Sequence, residues 1–425
     1  MEKEGPRPPL LVVIPTRNRA ALAGRALGSV LASAGVDLAV LVSDNSTDAR
    51  ELARLEALAA AAGDPRVRYV RPPRPLSMTE HWAWALEEGL AWARPERVSF
   101  LTDRMLFRSG GLRAAADAAR EHPGLVLSYN HTRVVDYRRP VIVEHERWTG
   151  SVFRLSPARL LEMVARGAPH PALPRMLNCL VPVGVLERVR RRFGSVFSSV
   201  APDINFCFRC LAVEDEIAYL DRSLLVHYAL ARSNGTSMNR GLRTRDHADF
   251  IRHLPTDVCA AAPIPEVHTA GNVLMHEYNV VRAEAGGGGF PPIEMPGYLR
   301  MLAAEVALIE DREARRAGEA VLRAHGWRPA AAEIGPLTLP RLARAGVRRL
   351  VRWMPGELAE PVVHGLSRAL GGRVAPGRVR FGFLTSRGAV AHAVRTEPPR
   401  QAEAPEVLQP ALRRAGPEAA GLRTA

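Results

Sequence analysis

The chain has 425 residues, 47% of them hydrophobic and 24% charged, with 58 basic against 44 acidic side chains and a net charge of +14. That length exceeds one ordinary core and implies a domain with an appendage or a second domain. The positive charge invites a nucleic-acid partner, but Lys3 is the only lysine, the arginines are scattered in doublets such as Arg191-Arg192, and few aromatics interleave with them, so no stacking platform for single strands is expected.

Cysteine usage is equally plain. Besides Cys179 and Cys259, Cys207 and Cys210 form a C-x-x-C with no second pair to complete a zinc site, and Phe206 to Leu211 reads as one turn of a buried helix. The first residues, Met1-Glu-Lys-Glu-Gly-Pro, lack an apolar leader, and no run approaches ~20 uninterrupted apolar residues. A cytoplasmic protein is expected, with contact at the inner membrane face held open.

In chain order, residues 10–14 read as a buried strand, closed by Pro15 and the polar turn Thr16-Arg-Asn-Arg19. A helical pattern follows to residue 33. Residues 38–42 are a second strand ending in Ser43-Asp-Asn-Ser-Thr-Asp48, where Thr47 or Asp48 can cap a helix running to residue 62. A short strand at 67–70 and a helix over 79–93 precede Val98-Ser-Phe-Leu-Thr-Asp103, an apolar run that stops abruptly at a carboxylate. A helix to residue 121 and a strand at 125–128 come next. Continuous rather than alternating apolar strands, each followed by a helix, indicate a doubly wound, mainly parallel sheet of the Rossmann kind. In such sheets ligands bind beyond the carboxyl ends of the strands, where Asp103 and both earlier polar turns lie.

Farther on, residues 134–143 suggest a hairpin, Ser156-Pro157 opens a helix, and Val200-Ala-Pro-Asp203 opens another through residue 211. Short strands at 217–220 and 224–226 lead to His227 and a polar loop. Gly286 to Gly289 suggests a flexible joint, followed by helical segments over 295–325 and 340–370. The last ~30 residues, rich in Pro, Ala and Arg, are expected to be disordered. The expected division is a tail (1–9), a catalytic domain (10–240), a connecting segment (241–290), a helical region (291–372) and a mostly disordered end (373–425).

Val13-Ile-Pro-Thr-Arg-Asn-Arg19, Val42-Ser-Asp-Asn-Ser-Thr-Asp48 and the strand-terminal Asp103 together resemble a family 2 glycosyltransferase of the GT-A fold over roughly residues 10–230. The resemblance implies an inverting transfer of a sugar from a nucleotide-diphosphate donor, most naturally UDP-linked, to a hydroxyl of a glycan, lipid-linked or small-molecule acceptor. It implies that Pro15, Thr16, Arg17 and Asn18 approach the base and ribose, that Asp44 bonds the base edge, and that Asn45 and Asp48 line the same pocket. Asp103 would match the last acidic residue of the DxD motif, holding Mg²⁺ or Mn²⁺ on the diphosphate. Asp203 would match the catalytic base, and His227 a histidine on the metal or diphosphate, with Tyr228 and Arg232 assisting.

Two departures stand out. Thr102-Asp103-Arg104 carries one carboxylate where relatives have two or three, so Arg104 is an alternative diphosphate partner by its bidentate fork. Glu80-His81-Trp82 replaces a more usual Asn, which places His81 at the sugar pocket. The chemistry asks for the same parts: a base beside the acceptor hydroxyl and charge stabilisation at the departing diphosphate. Asp203, at a helix start, is expected to have a lowered pKa. Two rivals are a nucleotidyltransferase, disfavoured because the Pro15–Arg19 turn has no glycine, and a non-catalytic sugar-nucleotide binder. Basic helices around residues 341–352, with Trp353 beside them, suggest peripheral membrane contact.

Overall fold

The computed structural model describes residues 9–136, 140–144, 148–241, 244–254, 256–328, 378–380, 383–397 and 413–414. One half of the sheet is parallel throughout: β1 (Leu10–Thr16), β2 (Leu38–Asp44), β3 (Val67–Val70) and β4 (Arg97–Phe100) lie in the order β4-β1-β2-β3. All seven residues of β1 and of β2 are buried, because helices cover both faces. Side-chain alternation sorts them. Leu11, Val13 and Leu41 pack with Trp82 and Leu86 of α3 (Met78–Ala93), while Leu10, Val12, Ile14, Val40 and Val42 pack with α1 (Ala20–Leu31) and α2 (Ala49–Ala61). Helix α3 starts at a complete capping box between Ser77 and Glu80. Its Gly89 lets the helix approach the sheet, since a Cβ there would stand 2.6 Å from Leu11 Cδ2.

The other half is mixed. After β5 (Met105–Phe107) and α4 (Gly111–Glu121) come β6 (Leu127–Val135), β7 (Val141–Glu144), β8 (Val152–Leu155), α5 (Pro157–Ala165), β9 (Cys179–Pro182), α6 (Val183–Phe193), α7 (Pro202–Val213) and β10 (Ile217–His227). β6 and β10 are parallel, and the antiparallel β9 joins β6 to β4. The two short strands expected over 217–226 are one strand. Register shifts on either side of Ser223 interrupt its pairing, and Asp221, whose carboxylate accepts the Thr149 N–H and hydroxyl, supplies the polar break in the sequence. The four cysteines are buried free thiols.

Beyond residue 230 the chain continues in helices, as expected over 295–325. α8 (Asn234–Arg240), α9 (Arg245–Arg252), α10 (Ala270–Glu284), α11 (Met295–Val306) and α12 (Arg312–Ala324) follow, and the glycine run is no joint between separate bodies. Gly286, Gly287 and Gly289 hold φ near +70 to +80°, a turn that reverses the chain within one core. Tyr278 on one side and Phe290 and Tyr298 on the other belong to the same buried cluster as Trp82 and Phe208. Phe208 and Tyr278 meet edge to face at 5.3 Å.

Within the region 373–425 the described residues are 378–380, 383–397 and 413–414, and the rest of the expected disordered end lies outside the described residues. β11 (Arg378–Arg380) pairs antiparallel with β7, and β12 (Arg413–Arg414) with β8. α13 (Ser386–Arg395) buries Ala389, Val390 and Ala393 against Leu106, Val134, Ile142 and Val226. Its small residues suffice because the sheet supplies the large ones. The expected basic helices over 340–370 lie outside the described residues. No described helix is long and apolar enough to cross a membrane.

Candidate active site at the strand tips

The parallel register sets Thr16, the last residue of β1, opposite Asp44, the last of β2, while β4 runs alongside β1 and turns at Asp103. The Thr16 hydroxyl donates to Asp103 Oδ2 at 2.8 Å. Three strand tips therefore meet at one edge. The loop leaving β1 is shaped by Asn18, whose φ of 55° is the left-handed region that asparagine tolerates better than other non-glycine residues. Its side-chain oxygen accepts the Thr47 and Asp48 N–H groups, both at 2.9 Å, and its own N–H donates to Ser46 Oγ at 2.7 Å. Asn18 thus fastens the first polar turn to the second.

Arginines from distant segments gather over Asp103. Arg19 Nη1 stands 3.4 Å from Asp103 Oδ1, and Arg104 Nε 3.9 Å from the same oxygen. Arg19 also pairs with Asp246 at 3.3 Å, which Arg232 Nε holds at 2.8 Å. Arg19 Nη2 donates to the Arg232 carbonyl at 2.8 Å, and Arg232 Nη2 to the Asn18 carbonyl at 3.1 Å, a reciprocal strap. Burial works to raise the Asp246 carboxyl, yet the two guanidiniums together hold it below the usual range. Desolvation lowers Arg104 to about 10, with Asp103 opposing, so it stays charged at neutral pH. Arg104 Nη1 lies 2.7 Å from His227 Nε2. A guanidinium can only donate, so Nε2 accepts and the ring proton sits on Nδ1. Desolvation and then Arg104 push His227 well below its ordinary value, leaving it neutral. Tyr228 is buried, and its N–H donates to the Arg104 carbonyl at 3.0 Å.

Asp203 is in the first turn of α7, after Pro202. Contrary to expectation its carboxyl is raised. Desolvation outweighs the lowering by Arg175, by the N–H groups of Asp203 and Ile204, and by Arg104, whose charge it feels across the site. The loop before it is strained and heavily restrained. Ser199 has φ of 61°, its hydroxyl meets His276 Nε2 at 3.0 Å, and its carbonyl accepts from the Thr79 hydroxyl at 2.9 Å. Fully buried Glu277 of α10 accepts the N–H groups of Val200 (3.1 Å) and Ala201 (2.7 Å), and Asn205 Nδ2 (3.0 Å). Even so, burial pushes its carboxyl from 4.5 up to about 7.

Several expected pocket residues also fasten loops. His81 Nε2 bonds the Ser43 hydroxyl at 2.7 Å in the interior, and burial lowers its pKa to about 3. Asn45 makes a two-way bond with the Leu76 backbone, at 2.8 and 2.9 Å. Asp48 caps α2 through the Arg50 and Glu51 N–H groups. The Asp44 oxygens accept from Ser46 N and from the Tyr69 hydroxyl, both at 2.9 Å. Arg17 donates to the Leu76 carbonyl and pairs with Asp249 at 3.1 Å. Pro15 is buried within β1, and the buried Thr102 hydroxyl has no hydrogen-bond partner.

The expected divalent cation does not fit this donor set. Asp103 offers two oxygens already facing a hydroxyl and two guanidiniums, and His227 presents its acceptor nitrogen to Arg104. Among the described residues no group of three or more His, Cys, Asp or Glu side chains comes together. Arg19, Asp246, Asn205 and Glu277 escaped the sequence reading. Arg19 stands inside a motif that was read, whereas Asp246 and Glu277 carry no local signal, since their partners lie 14 or more residues away.

Residues 11–156 match the model of Glycosyl transferase family 2. No curated protein matches the chain. Among solved structures, the S. aureus TarS 1-349 crystal structure aligns with TM-score 0.40 and 15% identity over 73% of this chain and 87% of that one. Its complex with UDP-GlcNAc aligns with TM-score 0.41 at the same identity and coverage.

Proposed function

We propose that this chain, a glycosyltransferase whose residues 11–156 belong to family 2, moves a sugar with inversion from a nucleoside diphosphate, UDP in the preferred reading, to an acceptor hydroxyl. The observation that supports this best is the strand-tip cluster of Thr16, Asp103, Arg19 and Arg104, with Asp203 in the first turn of α7 as the candidate base. A cationic strand-tip site in this reading works with a carboxylate whose proton affinity burial raises. In this reading the Asp203 carboxylate takes the acceptor proton while the acceptor oxygen bonds the anomeric carbon. The bond from that carbon to the β-phosphate oxygen breaks, and its electron pair leaves on the diphosphate. Arg104 and Arg232 neutralise the developing charge, as guanidiniums do for phosphate. The working unit is residues 10–240 with α10 added, because Glu277 anchors the loop that presents the base.

The test is a panel of UDP-sugars with the Asp203→Ala variant. Transfer should fall to background while UDP affinity is retained. Normal turnover by the variant would remove Asp203 from its role.

A further inference from the structure

Around Asp103 there are more cationic donors than the acidic groups require. Three guanidiniums, of Arg19, Arg104 and Arg232, share two carboxylates, Asp103 and Asp246. Arg19 Nε and Arg104 Nε are buried and make no hydrogen bond. The Arg19 and Arg104 side chains remain 15% and 14% exposed, against 4% for Asp103, so the two arginines are more open to solvent than the carboxylate they flank. A divalent cation asks for the opposite, a hard oxygen set with carboxylates foremost. Any ion seated on Asp103 Oδ1 would stand beside two positive charges already within 4 Å of that oxygen.

Resting on the nucleotide-donor reading above, the geometry points to a metal-independent site in which Arg19, Arg104 and Arg232 themselves hold the donor diphosphate. Asp103 is a positioning residue: it fixes Arg19 and Arg104 side by side and is itself oriented by the Thr16 hydroxyl. Arg232 is held for the same task by Asp246, and His227 accepts one edge of Arg104, leaving the fork directed by two partners. Planar guanidiniums suit this work because they match phosphate oxygens in pairs and stay charged across the working pH range.

Calorimetric titration of the full chain with UDP, in EDTA and in Mn²⁺, tests the assignment. The dissociation constants should agree within about twofold. Arg104→Ala should weaken UDP at least tenfold under both conditions and Arg104→Lys should recover only part of the loss, the fork being absent from lysine. Uridine, which lacks the diphosphate, should bind wild type and Arg104→Ala alike, separating a lost phosphate contact from a damaged fold. Binding of UDP only with Mn²⁺, or equal UDP affinity in wild type and Arg104→Ala, would overturn the metal-independent site and leave the donor reading standing. If UDP bound under neither condition, the donor reading would fall and this inference with it.

Discussion

Glu277→Gln isolates the anchor beneath the candidate base. In the folded protein the carboxyl is raised from 4.5 to about 7 by burial, with the Val200, Ala201 and Asn205 donors only partly opposing. A group whose folded value is raised binds its proton more tightly in the folded chain. Its contribution to stability is complete below 4.5 and lost as pH climbs through about 7. The span between the two values corresponds to about 3 kcal/mol. Gln keeps a carbonyl oxygen for Val200 and Ala201 but turns an amide donor toward the Asn205 donor, because Asn205 Oδ1 already accepts from Ser198. That mismatch costs about 1–3 kcal/mol at any pH. The variant should therefore be less stable than wild type at pH 5, by roughly that amount, and close to it at pH 8, where relief of the buried charge offsets the mismatch. Denaturant unfolding at the two pH values reads the difference. A constant gap between the proteins from pH 5 to 8 would refute the idea that this carboxyl titrates within the fold.

Two further outcomes are expected. The acid limb of the transfer rate should lie above the ordinary aspartate range, because desolvation raises Asp203 and the base works only when deprotonated; Asp203→Asn should cost about 10²–10⁴-fold in rate and abolish that limb, and a limb unmoved in the variant would assign it elsewhere. Asn45→Ala leaves the Leu76 N–H buried without its acceptor, although Arg17 still serves the carbonyl. The denaturant midpoint should drop by the equivalent of about 1–3 kcal/mol with an unchanged slope, and an unaltered midpoint would show that the loop finds another acceptor.

The first half of the chain was legible because burial on both faces writes itself into sequence as uninterrupted apolar runs, and each polar stop marks a strand tip. The end of β4 near Asp103, the Asp48 cap and the Pro202–Asp203 helix start follow from such local rules. The second half was less so. A bulge at Ser223 split one strand into two apparent ones. The glycine turn at 286–289 looks the same in sequence whether it separates bodies or folds a chain back on one core. The Ala- and Val-lined α13 lacks the large side chains that advertise burial, since those belong to the strands it covers.

Sequence by itself determined the strands of the parallel half and the polar turns that close them, because strand period, caps and turn residues act over a few neighbours. Only the tertiary structure decided what those turns do: that Asn18, Asn45, Asp48 and His81 tie loops together, that Arg19 and Arg232 meet over Asp103 through Asp246, and that desolvation outweighs the helix terminus at Asp203. Each depends on groups far apart in the chain, and charge, burial and donor count at a point in space have no local spelling.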